Sequence, residues 1–267
     1  MCVRGGCKMD NQPVVWKKEN GLCFITMNEP TTLNAISKGI VGGLEEAFED
    51  CFDEEIRAVV LTGAGRAFCA GGDLAEMIKD GPKHWLMQTP KQLGVVVSTM
   101  RKLPKPIIAS INGPAFGVGM SVAMACDLRI MADRATFAQA YTSVGLSPDG
   151  GWTMTVPQTV GIGKAMEMVL LDKPIKAEEA QRLGLASIVV PADQLEAETL
   201  KLATKLSNGP SKAYAHAKAL INHTLLQGIE SQMDMERYNI ADCGDSEDFL
   251  EGSDALFNKR KAAFKGQ

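Results

Sequence analysis

The sequence has no surplus of positive charge: 28 lysines and arginines stand against 32 aspartates and glutamates, a net charge of −4 over 267 residues. Nothing in that balance gathers a phosphate backbone or an anionic membrane, so nucleic acid is a poor partner. A disulfide framework is also missing. The seven cysteines are odd in number and lack short regular spacing, and Cys23, Cys69 and Cys126 fall inside apolar runs, the pattern of buried, reduced thiols. His84, His216 and His223, the only histidines, show no metal-ligand spacing with cysteines or carboxylates, so no metal is expected. Met1 to Gly6 carry one arginine and no apolar stretch of signal-peptide length, which makes a cytoplasmic protein the expectation. The longest uncharged stretch, Pro106 to Cys126, has the length of a membrane span. Asn112, Gly113, Pro114, Gly117 and Gly119 interrupt it, so it reads as a buried strand, a tight loop and a buried helix.

What is present is an ordinary globular composition, 45% apolar and 22% charged, in a chain long enough to bury roughly three quarters of its unfolded surface. Val14 to Met27 alternates as a strand pair around Asn20-Gly21, the strongest short hairpin signal. Ser37 is placed to cap an amphipathic helix whose apolar face is Ile40, Val41, Leu44, Ala47, Phe48 and Cys51. Three β-branched or apolar runs, Arg57–Thr62, Pro106–Ile111 and Leu128–Ala132, read as strands; the first two feed glycine-rich loops and then helices. From Lys164 the chain reads as mostly helical, over 165–171, 177–183, 194–206 and 211–235. A last helix over 246–264 is acidic at its start and basic at its end, with Lys259, Arg260, Lys261 and Lys265 complementing its dipole. No Pro- or Ser-rich linker divides these segments, so the expected organisation is a core over 1–200 followed by a helical C-terminal region over 201–267.

Two loops carry the chemical signal: Ala67-Phe-Cys-Ala-Gly-Gly-Asp-Leu-Ala-Glu-Met77 and Asn112-Gly-Pro-Ala-Phe-Gly-Val-Gly-Met-Ser121. Each puts small residues where a strand ends and a helix begins, the place where free backbone N–H groups meet an anion. Gly117-Val-Gly119 does not complete a dinucleotide fingerprint, because Val122 stands where the third glycine belongs. Asp73 reads as a brace or cap of the first loop, and Glu167 as a solvated or ion-paired face of its helix.

The two loops, the preceding NEPTTLNAIS, the segment INGPAFGVGMSVAMACDLRIMADRATFAQA and the closing FNKRKAAFK together resemble the crotonase (enoyl-CoA hydratase/isomerase) superfamily over nearly the whole chain. The resemblance implies an α/β fold, a spiral of ββα turns with a helical C-terminal trimerisation region. It further implies an acyl-CoA substrate, with CoA as part of that substrate and no separate cofactor, and a homotrimer or dimer of trimers. Gly72 and Val118 match the backbone donors that hold the thioester oxygen, flanked by Ala70, Gly71 and Gly117. Leu33, Asn34 and Ala35 match the segment whose backbone lines the adenine pocket, and a lysine of the C-terminal cluster, Lys259, Lys261 or Lys265, is implied to reach the CoA phosphates held by a neighbouring subunit.

Hydratases of this superfamily use two glutamates, and the matching positions here are Ser121 and Tyr141, with Tyr141 left at the acyl pocket. Neither is a carboxylate base. One acid remains, Asp149 in Gly145-Leu-Ser-Pro-Asp-Gly-Gly-Trp152, similar to the turn of phenylacetate-pathway isomerases. A single carboxylate fits a 1,3-proton shift through a thioester enolate. Pro-Asp-Gly is equally an ideal β-turn. Three alternatives stand beside isomerisation: hydration on the same scaffold, attack of Asp149 on an aryl-CoA as in 4-chlorobenzoyl-CoA dehalogenases, whose tryptophan falls at Tyr141 and whose histidine finds only His84 in the region, and non-catalytic binding of acyl-CoA or RNA.

Overall fold

The computed structural model describes residues 12–225 and 227–267. In chain order its elements are β1 (Val14–Glu19), β2 (Leu22–Met27), α1 (Lys38–Asp50), β3 (Ala58–Gly63), α2 (Leu74–Asp80), α3 (Pro82–Lys102), β4 (Ile107–Ile111), β5 (Ala115–Phe116), α4 (Val118–Ala125), β6 (Leu128–Ala132), β7 (Thr136–Ala138), α5 (Trp152–Val160), α6 (Ile162–Leu171), β8 (Ile175–Lys176), α7 (Ala177–Arg182), β9 (Ile188–Val190), α8 (Leu195–Ser207), α9 (Ser211–Leu225), α10 (Ile229–Cys243) and α11 (Glu247–Phe257). Residues 1–11, which hold Cys2, Cys7 and the stretch read as lacking a signal peptide, lie outside the described residues.

The hairpin forms as expected: Glu19 pairs with Leu22, and both Asn20 and Gly21 take positive φ, the geometry of a two-residue turn matched to strand twist. From β2 onward every neighbouring pair in the large sheet, ordered β1-β2-β3-β4-β6-β9, is parallel. Parallel strands are covered on both faces, which accounts for the unbroken apolar runs of β3 and β4. A second sheet, β5-β7-β8, is short, and two isolated bridges, Ile36 to Gly72 and Cys69 to Ala115, extend its role in the loops.

The repeat is therefore a long strand, a short extended partner and a helix: β2 with Ile36 and α1, β3 with Cys69 and α2, β4 with β5 and α4. That is the spiral of ββα turns. Its core includes Ile25, Leu44, Phe48, Leu61, Phe68 and Phe137, all fully buried. Ser37 caps α1 by accepting the Ile40 N–H at 3.1 Å. The stretch from Pro106 to Cys126 resolves into β4, a turn, β5 and α4, and among the described residues no helix is long and apolar enough to cross a membrane. Cys23, Cys51, Cys69 and Cys126 are buried free thiols.

The last third is mostly helical as read, with two short strands, β8 and β9, the latter at the edge of the large sheet beside β6. Two expectations for it need correction. The helix expected over 211–235 is two helices, divided before α10 by Gly228 in a left-handed conformation at φ 79°. The helix expected over 246–264 ends at Phe257, and Lys259 turns the chain away at φ 51°. Lys259, Arg260, Lys261 and Lys265 thus lie past the helix end, and Arg260 forks onto Glu251 and Asp254 instead of the helix carbonyls.

Candidate active site

The two glycine loops meet. In the first, the bridge between Ile36 and Gly72 uses the Gly71 carbonyl and the Asp73 N–H, which bond Ile36 at 2.7 and 3.0 Å. In such a bridge the N–H of the middle residue, Gly72, faces the other way, and among the described residues it has no acceptor. Asp73 caps α2 by accepting the Glu76 N–H at 3.0 Å, as its reading as a brace requires. In the second loop Gly117 donates to the Ala138 carbonyl at 3.0 Å, and Val118 opens α4, where a first-turn N–H has no partner inside the helix. The loops touch at their glycines: a Cβ built on Gly117 lies 3.7 Å from Gly71 Cα.

Between them opens a cavity of about 380 Å³. Leu33, Ala70, Gly71, Gly72, Gly117, Val118, Tyr141 and Asp149 all line it. Of the other residues read as site positions, Asn34, Ala35 and Lys259 stand outside this lining. Lys259 is exposed. Asn34 is fully buried, and its side chain braces the loop: Oδ1 accepts the Glu29 N–H at 3.0 Å, and Nδ2 donates to the Ala64 and Ala67 carbonyls at 2.9 Å each. That amide holds Leu33 and Asn34, both at φ 58°, in the left-handed region that asparagine tolerates better than alanine. Asn34→Ala is expected to lower the unfolding free energy by about 2–4 kcal/mol, since it removes three hydrogen bonds to one buried and two partly buried backbone groups; a urea titration measures it.

The rest of the wall is mostly apolar, with Thr89 and Ser143 as polar exceptions. Trp85, held by its indole N–H on Glu76 at 3.0 Å, and Met77 close over Gly72, while Leu86, Leu93 and Ile240 complete the far side. Ile240 comes from α10 and Leu256 from α11, so the C-terminal helices form part of the cavity.

Asp149 is the one carboxylate among the described lining residues. It starts a turn closed by the Trp152 N–H on its carbonyl at 3.3 Å, so the Pro-Asp-Gly turn and the cavity carboxylate are one structure. The Tyr141 hydroxyl donates to Oδ1 at 2.8 Å, and Ser121 Oγ donates to the Asp149 carbonyl at 2.9 Å. With Oδ1 engaged, Oδ2 is the oxygen left for a ligand. Burial raises the Asp149 carboxyl to about 7; the Tyr141 hydrogen bond opposes the rise, and the nearby Glu236 charge adds to it. Burial likewise pushes the Tyr141 phenol well above its ordinary value, so it stays a donor.

Glu236 escaped the sequence reading. Its signal was there: Ile229, Met233, Glu236 and Ile240 follow helical spacing, so a carboxylate sits on an apolar stripe. Glu167, by contrast, is an exposed partner of Lys164 at 3.0 Å, as expected. His84 is exposed near the start of α3 and is absent from the cavity lining.

The family model described as Enoyl-CoA hydratase/isomerase matches residues 17–267. The chain is 35% identical over 259 residues to a probable enoyl-CoA hydratase of Rhodobacter capsulatus, covering 97% of this chain and 100% of that protein. It is 35% identical over 253 residues to the 1,2-epoxyphenylacetyl-CoA isomerase of Escherichia coli, covering 93% and 97%. Among solved structures it is similar to an enoyl-CoA hydratase from Mycobacterium avium subsp. paratuberculosis, with a TM-score of 0.87 and 33% identity over 95% of this chain and 98% of that one.

Proposed function

The chain belongs to the enoyl-CoA hydratase/isomerase family, and from that premise we propose that it is an enoyl-CoA isomerase with Asp149 as its proton shuttle. The observation that carries this reading is a single buried carboxylate facing a cavity rimmed by two unpaired backbone donors. In the forward step Asp149 takes a proton from C2 of a 3-enoyl-CoA, and the electron pair moves into the thioester as a dienolate. The N–H groups of Gly72 and Val118 hold the developing oxyanion. Asp149 then returns the proton to C4, which gives a 2-enoyl-CoA with no atom gained or lost and no separate cofactor required. Backbone donors suit the task because they are fixed before charge develops and bind the enolate more tightly than the neutral thioester.

Hydration on this scaffold calls for two carboxylates around a water. Here the two matching positions, Ser121 and Tyr141, hydrogen-bond Asp149 itself, which supports isomerisation over hydration. An aryl-CoA displacement needs a histidine that the exposed His84 does not offer. Four apolar side chains of α6, Ile162, Met166, Leu170 and Leu171, stand exposed and support assembly as a homotrimer or a dimer of trimers, with a lysine such as Lys259 reaching CoA on the neighbouring subunit.

Mass spectrometry after incubation with a 3-enoyl-CoA and, separately, a 2-enoyl-CoA tests the reaction. The expected result is a shifted double bond at unchanged mass. A product heavier by one water would establish hydration instead.

A further inference from the structure

Glu236 is a buried carboxylate that the proton shuttle does not use. It sits in the middle of α10 and reaches across to the N-terminus of α5, 85 residues away in sequence. Oε2 accepts the Gly151 N–H at 2.7 Å; Oε1 accepts the Thr153 N–H at 3.0 Å and the Thr153 hydroxyl. Gln232, one turn earlier in α10, donates to that same hydroxyl at 2.8 Å. The N-cap of α5 is Gly151, which has no side chain to satisfy the helix's free amides. Glu236 supplies the cap from another helix, and every contact it makes treats it as an acceptor, the role of an ionised carboxylate.

The amides it holds follow Asp149 by two and four residues. Gly150 and Gly151 lie between, both at positive φ, so the turn itself resists rotation poorly without an external hold. One turn along α10, Ile240 lines the acyl cavity. A single helix thus touches both the cavity and the turn that carries the acid.

We propose that Glu236 is a positioning residue for Asp149: it clamps the Gly150-Gly151 turn to α10 and so holds the acid at the cavity wall. The proposal rests on the reading of Asp149 as the base. Tyr141 is the other ionisable neighbour, from the segment before Gly145; α3 presents Leu93 and Val97, α4 presents Val118 and Ser121, and α10 presents Met233 beside Glu236. No cation is among them.

The test compares Glu236→Gln and Thr153→Val with Asp149→Asn in the full chain. For Glu236→Gln, kcat is expected to fall by roughly tenfold to a hundredfold while KM stays within about threefold, the mark of a displaced acid in an intact binding site. Its acid limb in the pH profile moves to lower pH, because a negative neighbour that disfavoured ionisation is gone. Thr153→Val removes the hydroxyl's bonds to Glu236 and from Gln232 but leaves the charge and the two backbone contacts, so kcat falls by about threefold to tenfold and the limb stays in place. A Glu236→Gln protein that melts earlier yet keeps the wild-type kcat and pH limb would overturn the proposal. If that variant does not fold, a Thr153→Val enzyme with wild-type kcat overturns it equally. An inactive Asp149→Asn beside a wild-type Glu236→Gln sinks the clamp alone, whereas an active Asp149→Asn removes the base and the clamp with it.

Discussion

Replacement of Asp149 by asparagine is expected to lower kcat by about two to four orders of magnitude, the range lost with a positioned general base, while KM for an enoyl-CoA changes little. Asparagine keeps the size of the side chain and an oxygen for the Tyr141 hydroxyl, so the cavity proposed to take the acyl group keeps its shape. The wild-type pH profile provides the companion measurement. The base must be ionised to accept a proton, and burial places its pKa near 7, so kcat/KM should rise with pH through about 7 and then level. An ordinary aspartate would put that limb near 4.

The same residue has an opposite effect on stability. A folded-state carboxyl raised from its ordinary value of 3.8 to about 7 binds its proton more tightly in the native protein than in the unfolded chain. Its destabilising contribution is absent below the unfolded value, grows as pH rises between the two, and is complete above about 7. At pH 8 Asp149→Asn should therefore raise the unfolding free energy, by about 1–4 kcal/mol at the scale of 1.36 kcal/mol per unit, and the gain should vanish near pH 4. Denaturant titrations of both proteins at the two pH values measure it. A variant less stable than wild type at pH 8 would contradict a strained, buried acid at this position.

How much of this was legible before any coordinates follows from which interactions are local. The hairpin at Asn20-Gly21, the Ser37 and Asp73 caps and the strands read over 57–62 and 106–111 depend on neighbours within a few residues, and they form, the strands within one residue of those bounds. The glycine loops were legible as loops, but that Gly71 and Gly117 touch is a long-range fact set by two separate bridges. Three features depended on tertiary context. Ile188–Val190 is too short to declare itself a strand until β6 pairs with it. The segment after Phe257 has helical composition, yet Arg260 finds Glu251 and Asp254 by turning back on α11. Glu236 is an ordinary helical glutamate until α10 brings it to amides that no local side chain can cap. Asn34 is the instructive middle case: its place in the family segment was visible, whereas its bonds to residues 64 and 67 were not.

The second large effect concerns the distance between the two loops, where Gly119 makes a close approach beside the donors. Gly119 lies just past Val118, and a Cβ added there would stand 2.4 Å from the Cys69 carbonyl oxygen and 2.7 Å from Cys69 Cβ. Neither atom belongs to a flexible side-chain end, so the loops themselves must separate. Cys69 is three residues before Gly72, and its carbonyl also accepts the Phe116 N–H at 2.9 Å, so a shift there is transmitted to both donors. Gly119→Ala is expected to cost about 1–3 kcal/mol of stability by overpacking. Its catalytic cost should be larger in proportion, about a hundredfold or more in kcat, because two N–H groups moved apart cannot both reach one oxygen, and losing a single oxyanion donor already removes about 2.7–4 kcal/mol of transition-state stabilisation. Gly42→Ala supplies the control. Gly42 lies in α1 with open space where its Cβ would go, so that change should leave kcat unaltered and raise stability by about 0.5–1 kcal/mol. Wild-type turnover by Gly119→Ala would mean that the separation of these two loops does not govern the reaction, and the backbone donors would lose their assigned part in it.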